Sequence, residues 1–265
     1  MEFVLKIALI GNGAIAKLVT QFCAARAHTL HIVGALGLQS DVTSVGTHPV
    51  VYTLADLLAL KPEIVVECAG HSAVEAYAAP VLDAGIDLVI VSTGSLADQK
   101  LYDLVKAASD RSSAQVKLPA GALAGVDALA SGKLAGLTKV TLKSSKPPKA
   151  WKGTPAEKTH NLDAITERTV IFSGTARDAA LTFPKNANVA ATAALAGIGF
   201  EKTIVQLVAD PGVTQNVHRL EAEGAFGSMQ LEIQNNPSPD NPKTSHMAAL
   251  SLMRIIENEA AGIVI

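Results

Sequence analysis

VLKIALIGNGAIAKL, residues Val4 to Leu18, decides the fold. Its apolar run from Ile7 to Ile10 reads as a buried strand, and the run breaks at Gly11-Asn12-Gly13. Helical spacing resumes from Ala14, with Ile15, Leu18, Val19 and Phe22 on one side. A strand, a glycine turn and a helix present unpaired backbone N–H groups at a helix N-terminus, where a pyrophosphate binds. Gly11 permits the tight turn, and Gly13 lets the phosphates approach the backbone. Ala16 fills the third position of the G-x-G-x-x-G/A pattern and is small enough for close helix–strand packing. Gly11, Gly13, Ala14 and Ile15 are therefore the expected dinucleotide-binding residues.

Outward from this turn the same unit repeats. Leu30–Leu36, Val50–Tyr52, Ile64–Glu67, Asp87–Val91 and Gln115–Leu118 read as further strands. Three of them end in small or polar residues before a helical pattern: Cys68-Ala69-Gly70-His71, Ser92-Thr93-Gly94-Ser95 and Pro119-Ala120-Gly121-Ala122. Such alternation builds a parallel sheet with helices on both faces, and ligands bind at the carboxyl ends of its strands. All three segments are expected at one crevice, which adds Cys68 and Ala69 to the cofactor set. An acid that binds a ribose 2′-hydroxyl belongs near Leu36-Gly37-Leu38, but the nearest is Asp41, and no arginine for a 2′-phosphate follows. The cofactor is thus NAD or NADP.

The second half changes character. Leu137–Ser144 alternates with period two, as does Gly227–Gln234, and Thr169–Thr175 and Thr203–Ala209 look like further strands. Mixed, alternating strands suggest a sheet covered by helices on one side. Asn235–Pro242 reads as a loop of turn formers, and Ser245–Ala260 as a helix capped by Ser245. Its stripe of Met247, Leu250, Met253 and Ile256 is read as core. The fold class is α/β: a Rossmann-type doubly wound parallel sheet plus a second α/β, mixed-sheet domain. The expected division is a dinucleotide-binding domain over 1–120, to which a helix over 243–265 returns, and a catalytic and dimerisation domain over 121–242.

Composition narrows the function. The chain has 265 residues, 49% hydrophobic and 17% charged, with a formal net charge of −2, one Trp and three Tyr. With no basic stripe, a nucleic-acid partner is not expected. Cys23 and Cys68 have no metal-type spacing and fit a reducing, cytoplasmic compartment, so no metal is expected. No run of ~18 apolar residues is present, so no membrane span is expected.

For chemistry the residues to weigh are Asn216–Glu223, NVHRLEAE. On a strand, Asn216, His218, Leu220 and Ala222 share one face, and Arg219, Glu221 and Glu223 the other. His218 then points inward, either as a hydrogen-bonded core residue or as a general acid/base, since imidazole titrates near neutral pH. In TFPKNANVAATAALAGIG, Thr182–Gly199, Asn186 or Asn188 can cap the Ala-rich helix. Lys185 is either a surface residue or a site for a substrate carboxylate. Lys143, Lys146, Lys149 and Lys152 are unranked alternatives for that task.

Five segments together carry a resemblance to L-aspartate dehydrogenase: GNGAIA at 11–16, VVECAG at 65–70, PAGALAGVDAL at 119–129, FPKNANVAA at 183–191 and NVH at 216–218. The resemblance implies a two-domain homodimer. It implies NAD(P)-dependent oxidative deamination of L-aspartate to oxaloacetate and ammonia through iminosuccinate, reversibly, early in NAD biosynthesis. It puts the active-site histidine on His218 with Asn216 beside it, and the nicotinamide contacts on Ala122 and Asn188. Ala120 stands where many relatives carry Ser, a departure from the pattern. Two other readings of the chain are a non-catalytic NAD(P)H-binding redox sensor and a dehydrogenase of another small amino or hydroxy acid.

Overall fold

The structure, a computed structural model, describes residues 4–37, 44–45, 48–238 and 241–264. Asp41 and Leu38 lie outside them. The chain divides into two compact units, one of residues 1–119 with 249–265, the other of residues 120–248.

The first unit runs β1 (Leu5–Ile10), α1 (Ala14–Ala24), β2 (Leu30–Leu36), β3 (Ser44–Val45), β4 (His48–Val51), α2 (Leu54–Ala59), β5 (Ile64–Glu67), α3 (His71–Asp83), β6 (Asp87–Ile90), α4 (Gln99–Ser112) and β7 (Val116–Lys117). Their sheet has the order β3-β4-β2-β1-β5-β6-β7, parallel throughout except for β3 against β4. The order reverses between β1 and β5, which is the switch point of a doubly wound sheet. Near-continuous apolar strands such as IVVE suit this sheet because both of its faces are buried. His48 is buried within β4.

The second unit runs α5 (Val126–Leu134), β8 (Leu137–Lys146), β9 (Thr169–Thr175), α6 (Ala176–Thr182), α7 (Ala187–Ala196), β10 (Ile204–Ala209), β11 (Asn216–Gly224), β12 (Gly227–Asn235), β13 (Pro237–Ser238) and β14 (Asn241–Ser245). The sheet order is β12-β11-β8-β10-β9, with β10 parallel to β8 and the other pairs antiparallel. Val140, Leu142 and Ser144 of β8 share a face with His218, Leu220 and Ala222 of β11, and all six are buried. Helix α7 buries five alanines, small enough for its backbone to come close to its neighbours. The opposite face is laced with ion pairs: Lys139–Glu223 at 2.9 Å, Lys143–Glu221 at 2.9 Å and Arg219–Glu232 at 2.7 Å.

Two sequence expectations change. Much of Asn235–Pro242 is strand: β12 reaches Asn235, and β13 pairs antiparallel with β14. Helix α8 (His246–Ala260) buries Ala249, Leu252 and Ile256, whereas Met247 and Leu250 are exposed. Two apolar stripes overlap on this helix, and period alone does not choose between them. Leu252 and Ile256 join Leu5, Ile7, Leu9, Ala16 and Val19 in the first unit's core.

Candidate active site

In the first unit the two glycines of the turn do different work. Gly11 has φ +106°, and a Cβ there would lie 2.8 Å from that of Ala69. It is needed for the chain itself, because β1 and the turn after β5 meet at this point. A Cβ on Gly13 would meet nothing within 4 Å, so this side of the turn is open. Gly13 is the N-cap of α1 and Gly70 the N-cap of α3, and neither helix has a side-chain cap. Open space beside two uncapped helix N-termini fits a dinucleotide pyrophosphate, with Ala14 and Ile15 opening the first helix.

Glu67 organises this end of the sheet, and sequence reasoning missed it. Its carboxylate is 1% exposed and accepts from the N–H groups of Ala69 (2.8 Å), Gly70 (2.8 Å) and Ser92 (3.0 Å) and from the Ser92 hydroxyl (3.0 Å). Two strand-end segments are thereby tied to one side chain. An acid ending an apolar strand ahead of a glycine was the available signal. Cys68 donates its thiol to the Ile10 carbonyl at 3.4 Å, and burial, with Glu67 nearby, pushes that thiol up. It is an inert, packed thiol at the edge of the turn.

In the second unit His218 is 4% exposed, and its Nδ1 is 2.9 Å from Ser144 Oγ across the β8–β11 register. Burial first, then the Lys146 ammonium, pushes the imidazole down to about 3. The ring is therefore neutral at physiological pH. In the tautomer whose Nδ1–H donates to the Ser144 oxygen, Nε2 is left as a proton acceptor. Lys146 lies two residues beyond Ser144 on the same face of β8. Its ammonium donates to Asn186 Oδ1 and stands 5.2 Å from the Trp151 ring centroid.

Several sequence candidates separate here. Asn186 occupies the N-cap position of α7, yet its side chain makes no cap bond and serves Lys146 instead. Asn188 is exposed in the first turn of α7. Lys185 lies in the turn Pro184–Asn186, and its side chain is outside the described residues. Lys143 faces away and pairs with Glu221, Lys152 pairs with Asp163, and Lys149 is exposed. Ala122 is anchored through its carbonyl, which accepts from Asn235 Nδ2 at 3.0 Å. Asn235 is the register partner of Asn216. Ser144 and Trp151 were not singled out from the sequence, where nothing distinguishes them from sheet and core residues. Among the described residues, no group of three or more His, Cys, Asp or Glu is placed to hold a metal. None of the described helices is long and apolar enough to cross a membrane.

Residues 127–259 match the family described as aspartate dehydrogenase, C-terminal, and residues 11–119 match the NAD-binding domain of homoserine dehydrogenase. L-aspartate dehydrogenase of Ralstonia nicotianae is 48% identical over 77% of this chain and 76% of its own length. The chain belongs to the aspartate dehydrogenase family. The crystal structure of aspartate dehydrogenase from Thermotoga maritima superposes with TM-score 0.80 at 26% identity, covering 98% of this chain and 99% of that one. Amine dehydrogenase from Mycobacterium smegmatis, 15% identical with TM-score 0.57 over 97% of this chain and 93% of its own, shares the fold. Within this family of NAD(P)-dependent oxidoreductases, the present chain shows a buried, neutral imidazole beside an ammonium.

The depressed His218 pKa has a consequence for stability. An unfolded histidine takes up its proton near 6.5, and the folded ring does so only near 3. Between those values the unfolded state binds more protons, so stability falls as pH drops through that window, by up to about 1.4 kcal/mol per pH unit. His218→Gln removes this contribution. Urea unfolding from pH 6.5 to 4.5 should show a shallower loss in the variant than in the wild type. Parallel profiles would mean that the folded ring protonates normally.

Proposed function

We propose that the chain catalyses reversible oxidative deamination of L-aspartate to oxaloacetate and ammonia through iminosuccinate, with NAD or NADP as cofactor and His218 as proton carrier. The observation that carries this is the buried His218 with Nδ1 held by Ser144 and the ring kept neutral. The nicotinamide cofactor, when bound, accepts a hydride from the substrate Cα. Gly11, Gly13, Ala14, Ile15, Cys68 and Ala69 hold the dinucleotide, supported by the open glycine turn and the uncapped helices. Ala122 and Asn188 contact the nicotinamide, a role supported by their motifs. Lys185 is a candidate for a substrate carboxylate on its place beside Asn186.

Proton movements follow from the histidine. His218 Nε2 takes a proton from the water whose oxygen adds to the imine carbon. The same proton then passes to the nitrogen, and as the C–N bond breaks and ammonia leaves, the hydroxyl oxygen becomes the new carbonyl and gives its own proton to His218 Nε2. Asn216, on the same strand face, orients the ring or the water. A cofactor sensor without turnover has no use for a neutral base fixed in this way. The decisive assay mixes protein, oxaloacetate, ammonium and NADPH and follows reduced-nicotinamide absorbance. A flat trace despite measurable NADPH binding would favour the sensor.

His218→Ala should lower kcat by about 10²–10⁴. Turnover near wild type at saturating aspartate would remove His218 from the reaction. Gly13→Val should still fold, because a Cβ at this position enters open space, but it should abolish the NADPH titration signal. An unaltered titration would misplace the pyrophosphate. A homodimer is supported by the family resemblance. Sedimentation velocity should report twice the chain mass, and a monomer at micromolar concentration would refute it.

A further inference from the structure

Among the described residues, Lys146 is a cation without a counter-ion. Lys106, Lys117, Lys139, Lys143 and Lys152 each reach a carboxylate. Among the described residues, none reaches Lys146. Its hydrogen-bond acceptor is the neutral Asn186 amide, and its neighbouring ring is the neutral Trp151 indole. The indole is itself fully buried and fixed, with Nε1–H donating to the Val208 carbonyl at 3.1 Å. Asp210 is close in the chain fold, since its N–H donates to the Lys146 carbonyl at 2.9 Å. Its carboxylate, however, turns to the Gly212 N–H at 2.8 Å and towards Arg168. On the remaining side stands His218 of β11, also neutral.

A cation drawn out of water without a partner is costly, and an arriving anion relieves the cost. Burial alone pushes the Lys146 amine down to about 8, low enough to respond to what binds. An ammonium has three donors, and Asn186 takes one of them.

We propose that Lys146 receives one carboxylate of the dicarboxylate substrate and makes the site select dianions over monocarboxylates. The proposal rests on placing substrate at His218. It has a second consequence: a bound carboxylate offsets the lysine field on the imidazole. Substrate charge thereby makes His218 a stronger base only when the site is filled.

Succinate and butyrate, which have four carbons each and no amine, are the probes. Calorimetry should show that the wild type prefers succinate, with an affinity that falls as pH rises through about 8. Neither probe titrates there, and no carboxylate among the described residues faces Lys146. Lys146→Met should lose the preference and its pH dependence and weaken succinate binding roughly 10- to 100-fold, the usual scale for a hydrogen bond to a charged group. KM for aspartate should rise by a similar factor, with NADPH affinity unchanged. Lys146→Arg should recover part of the loss.

Wild-type calorimetry that shows no preference for succinate over butyrate overturns the proposal without any variant. So does a folded Lys146→Met that keeps both the succinate preference and the wild-type KM. The two readings fail separately. Lys146-dependent succinate binding without aspartate turnover keeps the anion site and discards the reaction. Aspartate turnover indifferent to Lys146 keeps the reaction and discards the anion site.

Discussion

The hydrogen bond between Ser144 and His218 depends on a single register, that of β8 against β11. In a sheet, a slip of one residue sends every side chain to the opposite face. Here such a slip would put His218 among the ion pairs of the outer face and Arg219 into the core. The apolar partners on the buried face, Leu142 with Leu220 and Val140 with Ala222, hold the register against that slip. Hydrophobic burial therefore supplies the precision that the polar pair needs.

The first unit solves a related problem with one carboxylate. Strand-end loops that border a ligand site must hold their shape without collapsing into it. Glu67 ties the loops after β5 and β6 together from below through four hydrogen bonds. A buried carboxylate is tolerable when it is fully hydrogen-bonded, and this one needs no cation. Gly11 then brings the turn against Ala69, and Gly13 leaves the ligand side clear.

Electrostatics in the second unit divide labour between two bases. The imidazole is held neutral, and the lysine remains the positive group beside it. Pairs of titratable groups pushed apart by their surroundings mark acid–base assignments in active sites. Aspartate dehydrogenase chemistry needs both functions, a proton acceptor for water and positive charge for a dicarboxylate.

Much of this was legible in the residues alone. The glycine turn, the parallel strands with small residues at their ends, the mixed second sheet and the inward face of His218 all follow from local period and turn chemistry, which act over a few residues. The family likeness lay in short contiguous motifs. What was not legible involves partners far apart in the chain. Nothing in the sequence pairs Ser144 with His218, hands the Asn186 side chain to Lys146 rather than to its own helix, or gathers four donors on Glu67. Nor did periodicity choose Leu252 over Leu250 as the buried side of the last helix. Sequence determined which segments become strands and helices and which faces are apolar, because those preferences are local. Only the tertiary structure decided which lysine of four stands uncompensated beside the histidine, because burial and missing counter-charge are properties of the packed chain.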